Sequence, residues 1–263
     1  MARLATFIDK AERDIERKLR DTFQDLERKM RRHLDRLKSK KGIVGREAWN
    51  LRINRQMIEK LQAEIKDSGY SDTLKLQVQK MRELSRQVLR EAGDLGLPNK
   101  FSPISEEAID TVLHGTRQNA SKRGVEVASE LETILMRSLT GNSSRADIIA
   151  NIEKRLDVSR SQAMSEVTNQ MSSFHRQVRV EHAQESGIEW FLYDGPLDDR
   201  NRDFCSHFVG TRVTLAILQE HASRFNRSLD AGPVVITLGG FGCRHELVPL
   251  LLEFLKDYPI GPR

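Results

Sequence analysis

The chain has 263 residues, of which 31% are charged and 38% hydrophobic, enough for one large or two modest cores under a heavily solvated surface. It contains no run of about 18 apolar residues, and Met1 to Lys10 lacks the apolar stretch of a secretory signal. A membrane-spanning or exported class is therefore not expected, and the cytoplasm is the expected place of folding and assembly. The net charge of +5 is uneven: Arg28 to Lys41 holds eight Lys or Arg against one acid, Asp35, leaving about −2 for the rest.

Residues 1 to about 41 read as one amphipathic helix. Leu4, Ile8, Ala11, Ile15, Leu19, Phe23, Leu26, Met30, Leu34 and Leu37 recur with a mean spacing of about 3.67 residues. A stripe this narrow, flanked by charge, calls for a partner helix and suggests oligomer formation through these helices. Lys41-Gly42 is the expected stop. A second helix fits Gly45 to Asp67, with Trp49, Ile53, Met57, Leu61 and Ile65 four apart. A third fits Ser71 to Ala92, on Leu74, Val78, Met81, Leu84 and Val88. Gly96, Pro98 and Pro103 mark 93–103 as a linker.

Ser105-Glu106-Glu107 reads as a capped helix start, running to about Leu139. After the loop 140–144, Ser144 caps a short predicted helix carrying Ile148, Ile149, Ile152 and Leu156. A separate long helix is then predicted from Ser159 to Ser186, stopped by Gly187. Beyond Gly187 the texture changes. Ile188 to Tyr193 is aromatic and β-branched and predicts a strand, Thr211 to Val213 a short strand, and Thr214 a cap for a helix through about His221. Pro233 to Thr237 is also predicted as a strand, followed by the loop Gly239-Gly240-Phe241-Gly242, where a bend with positive φ is expected. The fold class is α+β and predominantly α, with long amphipathic N-terminal helices followed by a small C-terminal α+β module. The expected division is an N-terminal helical arm over 1–97, a helical middle over 98–187 and the small module over 188–263.

The basic run offers Arg28, Lys29, Arg31, Arg32, Arg36, Lys38, Lys40 and Lys41 to phosphates or to an acidic protein. It is equally the composition of a solvated helix C-terminus stabilised by the macrodipole. His175, His182 and His221 fall on predicted helices, where surface pairs with acids such as Glu181 and Glu185 account for them.

The densest chemistry lies between Asp198 and His245. Two Cys-x-His pairs, Cys205 with His207 and Cys243 with His245, stand 38 residues apart. Thiolates and imidazoles are the donors zinc prefers, and two separated pairs suffice for a tetrahedral site that staples two loops. Two other readings fit: small buried cysteines with hydrogen-bonded histidines, and a disulfide, which a cytoplasmic setting disfavours. Asp194, Asp198, Asp199 and Asp203 with His207 also have the composition of a magnesium-dependent nuclease or toxin-like site, or simply of a solvated acidic loop. No covalent-hydrolase, phosphate-loop or dinucleotide pattern occurs. A DNA-binding module without catalysis is a further reading, compatible with a structural role.

Four features in order resemble the head-morphogenesis, or minor head protein (Mu F-like), family of tailed bacteriophages. They are the helix segment Ser165-Glu166-Val167-Thr168-Asn169, the Gly187 to Trp190 entry into an aromatic strand, the segment Asp199 to Gly210 with Arg202 and Cys205, and Cys243-Arg244-His245 after a Gly-rich loop with Pro249 beyond. The resemblance covers roughly 143–250, and the family leaves the position of His207 variable. It implies a low-copy structural protein of the phage head that contacts the portal and other head proteins, helps head assembly or DNA packaging and ejection, and in some members touches packaged DNA. It implies assembly in the host cytoplasm and residence in the virion. Asp199, Arg202, Gly210, Gly240 and Arg244 are then expected to shape the loops around the cysteines.

Overall fold

The computed structural model describes residues 2–40, 43–44, 48–67, 69–140, 143–225 and 233–261. In chain order they form α1 (Ala2–Leu34), β1 (Ser39–Lys40), β2 (Ile43–Val44), α2 (Ala48–Asp67), α3 (Gly69–Asp94), α4 (Pro103–Thr140), α5 (Arg145–Glu185), β3 (Phe191–Asp194), α6 (Asp203–Phe208), β4 (Arg212–Val213), α7 (Leu215–Ala222), α8 (Val234–Thr237) and β5 (Glu246–Pro249), with 3-10 turns at Ser223–Phe225 and Leu252–Asp257. The predominantly α, α+β class is as expected. No described helix is long and apolar enough to cross a membrane.

The chain forms two compact units. One comprises Met1–Asp9, Lys80–Leu113 and Val167–Arg263; the other comprises Lys10–Gln79 and His114–Glu166. This grouping cuts across the consecutive division at 97 and 187, because α1, α3, α4 and α5 each contribute to both.

In the second unit the α1 stripe is buried as its spacing demands, from Ala11 and Ile15 through Phe23 and Met30 to Leu34. The helix ends earlier than expected. Arg36 and Leu37 turn back onto the carbonyls of His33 and Leu34 at 3.1 and 3.0 Å, a tightened final turn. The buried Asn50 side chain then takes both backbone groups of Lys38, accepting from its N–H at 2.8 Å and donating to its carbonyl at 2.9 Å. Leu37 stays buried, so the apolar period runs on past the end of the helix. The expected stop at Lys41-Gly42, the first three residues of the predicted second helix and the side chains of Trp49, Leu61 and Ile65 lie outside what is described.

Ser144 caps α5 as expected: its Oγ accepts from the Asp147 N–H at 3.1 Å, and the Asp147 carboxylate accepts from the Ser144 N–H at 3.3 Å. The break expected at Ser159 does not occur. Ser159 is fully buried inside one continuous helix of 41 residues. A hydroxyl inside a long periodic stretch is no stop when no glycine or proline accompanies it.

In the first unit, α5 ends in a paired-bond cap. The Ile188 N–H reaches the Ala183 carbonyl and the Gly187 N–H the Gln184 carbonyl, both at 2.9 Å. The start of α4 lies three residues before the expected one: Ser102 is the cap, accepting from the Ser105 N–H at 3.2 Å, with Pro103 at the first helical position. Ser105 instead donates to Glu185 at 2.7 Å and joins the linker to α5. His182 receives the linker too, with its Nε2 2.7 Å from the Pro98 carbonyl. His175, His182 and His221 are all buried, so the expectation of surface helix pairs is corrected.

The sheet is antiparallel with strand order β4-β3-β5. β3 pairs Phe191 with Val213 on one side, and Tyr193 with Leu247 and Asp194 with Glu246 on the other. Phe191 and Tyr193 are fully buried and share a core with Phe204, Phe208, Leu218 and Leu238. The strand predicted over 233–237 is a single helical turn, α8, instead. Pro233 opens it, and Leu238 follows at φ 46°, turning the chain at once into the glycine loop. A short apolar β-branched run carries no period that separates the two states.

Candidate metal centre

Cys205 sits on α6 with Phe204 and Phe208, all three buried. The preceding loop is built on Asp198, whose Oδ1 accepts from the Arg200 N–H at 3.0 Å while its carbonyl accepts from the Asn201 N–H at 3.1 Å. After α6, Gly210 at φ 78° reverses the chain so that its N–H reaches the Tyr193 carbonyl at 2.9 Å, which lays β4 beside β3. The second half of the site follows α8. Gly240, at φ 107° as the glycine loop requires, is held by the Thr237 carbonyl, and the Cys243 N–H returns to the Gly240 carbonyl at 3.1 Å.

These two loops meet. The Cys205 and Cys243 sulfurs are 3.6 Å apart, and the Cys243 sulfur is 3.6 Å from His245 Nδ1. Among the described residues, Cys205, Cys243 and His245 form a group whose ligand atoms all lie within 4.8 Å of one another, close enough to hold a metal ion. Both cysteines are free thiols and all three residues are buried.

The orientation of the histidine suits a metal. His245 Nε2 lies 2.9 Å from the Pro196 carbonyl, which only accepts, so Nε2 carries a proton and Nδ1 is the nitrogen that a metal at the cluster would take. The thiols are polarised unequally. The hydrogen bond from Cys205, followed by those from the His245 ring and from the backbone N–H groups of His245 and Gly239, outweighs burial and holds the Cys243 thiol well below its ordinary range. Cys205, facing that charge in a buried setting, is pushed up. Tyr193 adds a donor, with its hydroxyl 3.3 Å from the Cys205 sulfur.

His207 does not join the group. It is exposed, and its ring lies 5.0 Å from that of Phe225 and 6.1 Å from that of His221. The cause is local geometry. Cys205 and His207 are two apart on a helix, which sends their side chains to opposite faces. Cys243 and His245 lie outside any helix, just before β5, and there their side chains meet at 3.6 Å. The same Cys-x-His spacing therefore makes a chelating pair in one loop and not in the other.

The remaining predicted residues brace the loops. Arg244 grips Asp198 with two nitrogens at 2.8 and 2.6 Å and holds that carboxyl down at about 2. Arg202 donates to the Phe241 carbonyl at 2.6 Å, tying α6 to the glycine loop rather than to an acid. Asp199 is exposed. Asp194 accepts from the Gly195 N–H at 2.9 Å. Asp194, Asp198, Asp199 and Asp203 do not gather with His207 into a group of ligand atoms among the described residues. Of the basic run, Arg28 and Lys29 pair with Asp25 at 3.3 and 2.9 Å, and Arg31 with Glu27 and Glu153. Arg32, Arg36, Lys38 and Lys40 are exposed, and Lys41 lies outside the described residues.

Sequence reasoning missed Arg176, on the buried face of α5. Its Nε donates to the Ile236 carbonyl at 2.6 Å, and one Nη donates to the carbonyls of Cys243 and His245 at 3.1 and 3.0 Å. Asn169, the last residue of the helix segment from Ser165, gains a role the sequence did not suggest: its Oδ1 accepts from the Gly242 N–H at 2.8 Å. An arginine on the apolar side of a helix was the available signal for Arg176. Gly239 is selected by space: a Cβ there would stand 2.3 Å from the Cys205 sulfur. Gly239→Ala is expected to destabilise the protein by about 1–3 kcal/mol through overpacking, as read by urea denaturation. An unchanged midpoint would show that the loop yields freely.

His175 stands next to Arg176 and one turn from Arg179 on α5. Burial, reinforced by the charges of Arg179 and Arg176, pulls its imidazole from 6.5 down to about 3. Glu246, 3.9 Å away, does not rescue it because that carboxylate is bonded to Arg179 at 2.8 Å. Below pH 6.5 the unfolded chain takes up a proton that the folded protein refuses until about pH 3. Stability from this residue is thus fully present above 6.5 and falls by up to about 1.4 kcal/mol per pH unit on acidification. Urea midpoints measured from pH 7 to 4 should fall less steeply in His175→Leu than in the parent. Parallel slopes would remove His175 as the cause.

Comparison with protein-family models, with curated proteins and with solved structures finds no match for this chain.

Proposed function

We propose that this chain is a minor structural protein of a tailed-phage head, and that zinc at Cys205, Cys243 and His245 fastens its C-terminal module. The observation that carries this reading is the meeting of two loops 38 residues apart at one buried sulfur and imidazole cluster. The donor set is the kind zinc selects, with soft sulfur, a ring nitrogen of fixed direction and a carbonyl behind the imidazole. The segments that resemble the head-morphogenesis family are the ones involved. Asp199 to Gly210 supplies Cys205, Cys243-Arg244-His245 supplies the other two donors, and Asn169 of the helix segment ties down the glycine loop. In this reading the partners are the portal and neighbouring head proteins. The exposed cations around Arg32, Arg36, Lys38 and Lys40 face packaged DNA.

The test is mass spectrometry of tailed particles purified by density gradient from cells that produce this chain. It should be present in heads at a few copies per particle, near the abundance of the portal. Particles that lack it overturn the virion assignment. Incubation of the protein with DNA and RNA plus magnesium or zinc addresses the metallonuclease alternative. Cleavage lost in Asp199→Ala would replace the structural reading with a catalytic one.

A further inference from the structure

We infer that the metal bound by Cys205, Cys243 and His245 takes no fourth donor from the described residues of this chain, and that its fourth ligand is a small exchangeable one from solution, a water or hydroxide that a monothiol displaces. This rests on the zinc reading above and deepens it: the site is an open three-donor centre rather than a closed four-donor staple.

The donor count comes from geometry. His207, the partner of Cys205 in its Cys-x-His pair, is on the opposite face of α6, with its ring 5.0 Å from that of Phe225. Among the other polar groups around the cluster, His175 lines a cavity shared with Cys243 and His245, and its Nε2 has no hydrogen-bond partner among the described residues, but it lies outside the group of gathered ligand atoms; the rest are committed. Arg244 holds Asp198 through two bonds, Arg179 holds Glu246 at 2.8 Å, and the Tyr193 hydroxyl is turned to the Cys205 sulfur at 3.3 Å. Zinc prefers four ligands, so a set of three leaves one coordination position to an outside molecule.

Space and charge say what that molecule is. A cavity of about 170 Å³ is lined by Cys243 and His245 together with Ser172, His175 and Arg176. A single water needs about 10–15 Å³ of such volume, so several fit beside the ligand-bearing loop. Even a Cβ on Gly239 would stand 2.3 Å from the Cys205 sulfur, so that side has no room for a bulky donor. Two thiolates neutralise a divalent ion, and the buried guanidinium of Arg176 bonds to the carbonyls of Cys243 and His245, so the surroundings favour an anionic newcomer. Exchange is then simple. A thiol loses its proton to solvent, its sulfur bonds to the metal, and the water leaves.

Cobalt(II) makes this visible. The full-length protein, stripped of metal and reloaded with one cobalt per chain, should show tetrahedral ligand-field bands and a thiolate-to-cobalt band. Adding millimolar 2-mercaptoethanol should strengthen that band by about one half, as two metal–sulfur bonds become three. His207→Ala should behave as the parent. A spectrum indifferent to the thiol, or tetrahedral bands lost in His207→Ala, overturns the inference by showing a closed site. A protein that takes up neither cobalt nor zinc overturns it together with the zinc reading. The result is independent of whether the chain is found in virions.

Discussion

Arg176→Ala is expected to lower the stability of the folded protein by about 3–5 kcal/mol, because three buried carbonyls lose their donor. Arg176 is 2% exposed and serves three carbonyls, those of Ile236, Cys243 and His245, which no other described donor reaches. Each buried acceptor left without a partner costs about 1–3 kcal/mol, partly relieved where water can enter. Arg176→Lys should recover only a fraction, because one ammonium cannot span the fork of directions that the guanidinium covers. Denaturant titration read by near-ultraviolet circular dichroism checks both variants, since Tyr193 and the phenylalanines pack in the same core. A loss below about 1 kcal/mol for Arg176→Ala would mean that the loop is held by its own turns and not by the helix beneath it.

Chelation is the second large effect. If zinc binds as proposed, stripping it from protein previously held in free zinc at a thousand times Kd should remove about 4 kcal/mol of stability, or on the order of 10 °C in Tm. Cys205→Ser and Cys243→Ser should lie near the stripped parent and respond little to chelator. His207→Ala should melt as the parent does and keep its metal. Metal analysis gives the parallel readout, with close to one zinc per chain in the parent and His207→Ala, and far less in the two serine variants. Equal melting of parent and chelated protein would leave the cluster as a hydrogen-bonded pair of thiols beside a histidine.

The sequence made the helices legible because they are long and periodic. The buried stripe from Ala11 to Leu34 and the cap at Ser144 follow from spacing and hydroxyl chemistry alone. Its failures share a cause, the absence of periodic information. Leu37 keeps the helical phase beyond the helix because Asn50, twelve residues after the Lys38 it bonds, decides where the turn falls. Val234 to Thr237 is too short to show a period, and Pro233 with Leu238 made it a turn. At the site, the two cysteines and His245 were readable from residue type. The exclusion of His207 was not, since it depends on whether each Cys-x-His stretch is helical or lies outside a helix. Arg176 was hidden for a different reason: its partners are backbone carbonyls, which leave no trace in the order of side chains.

The unit that carries the site is assembled from three stretches, Met1–Asp9, Lys80–Leu113 and Val167–Arg263. During synthesis Met1–Asp9 meets its first neighbours once Lys80–Leu113 has emerged, but the unit is complete only with Val167–Arg263, a delay that favours slow, late folding of this unit. Cutting the gene at Gly187 to isolate the cysteine-bearing tail would discard Arg176 and Asn169, so the excised piece should bind metal more weakly than the intact chain.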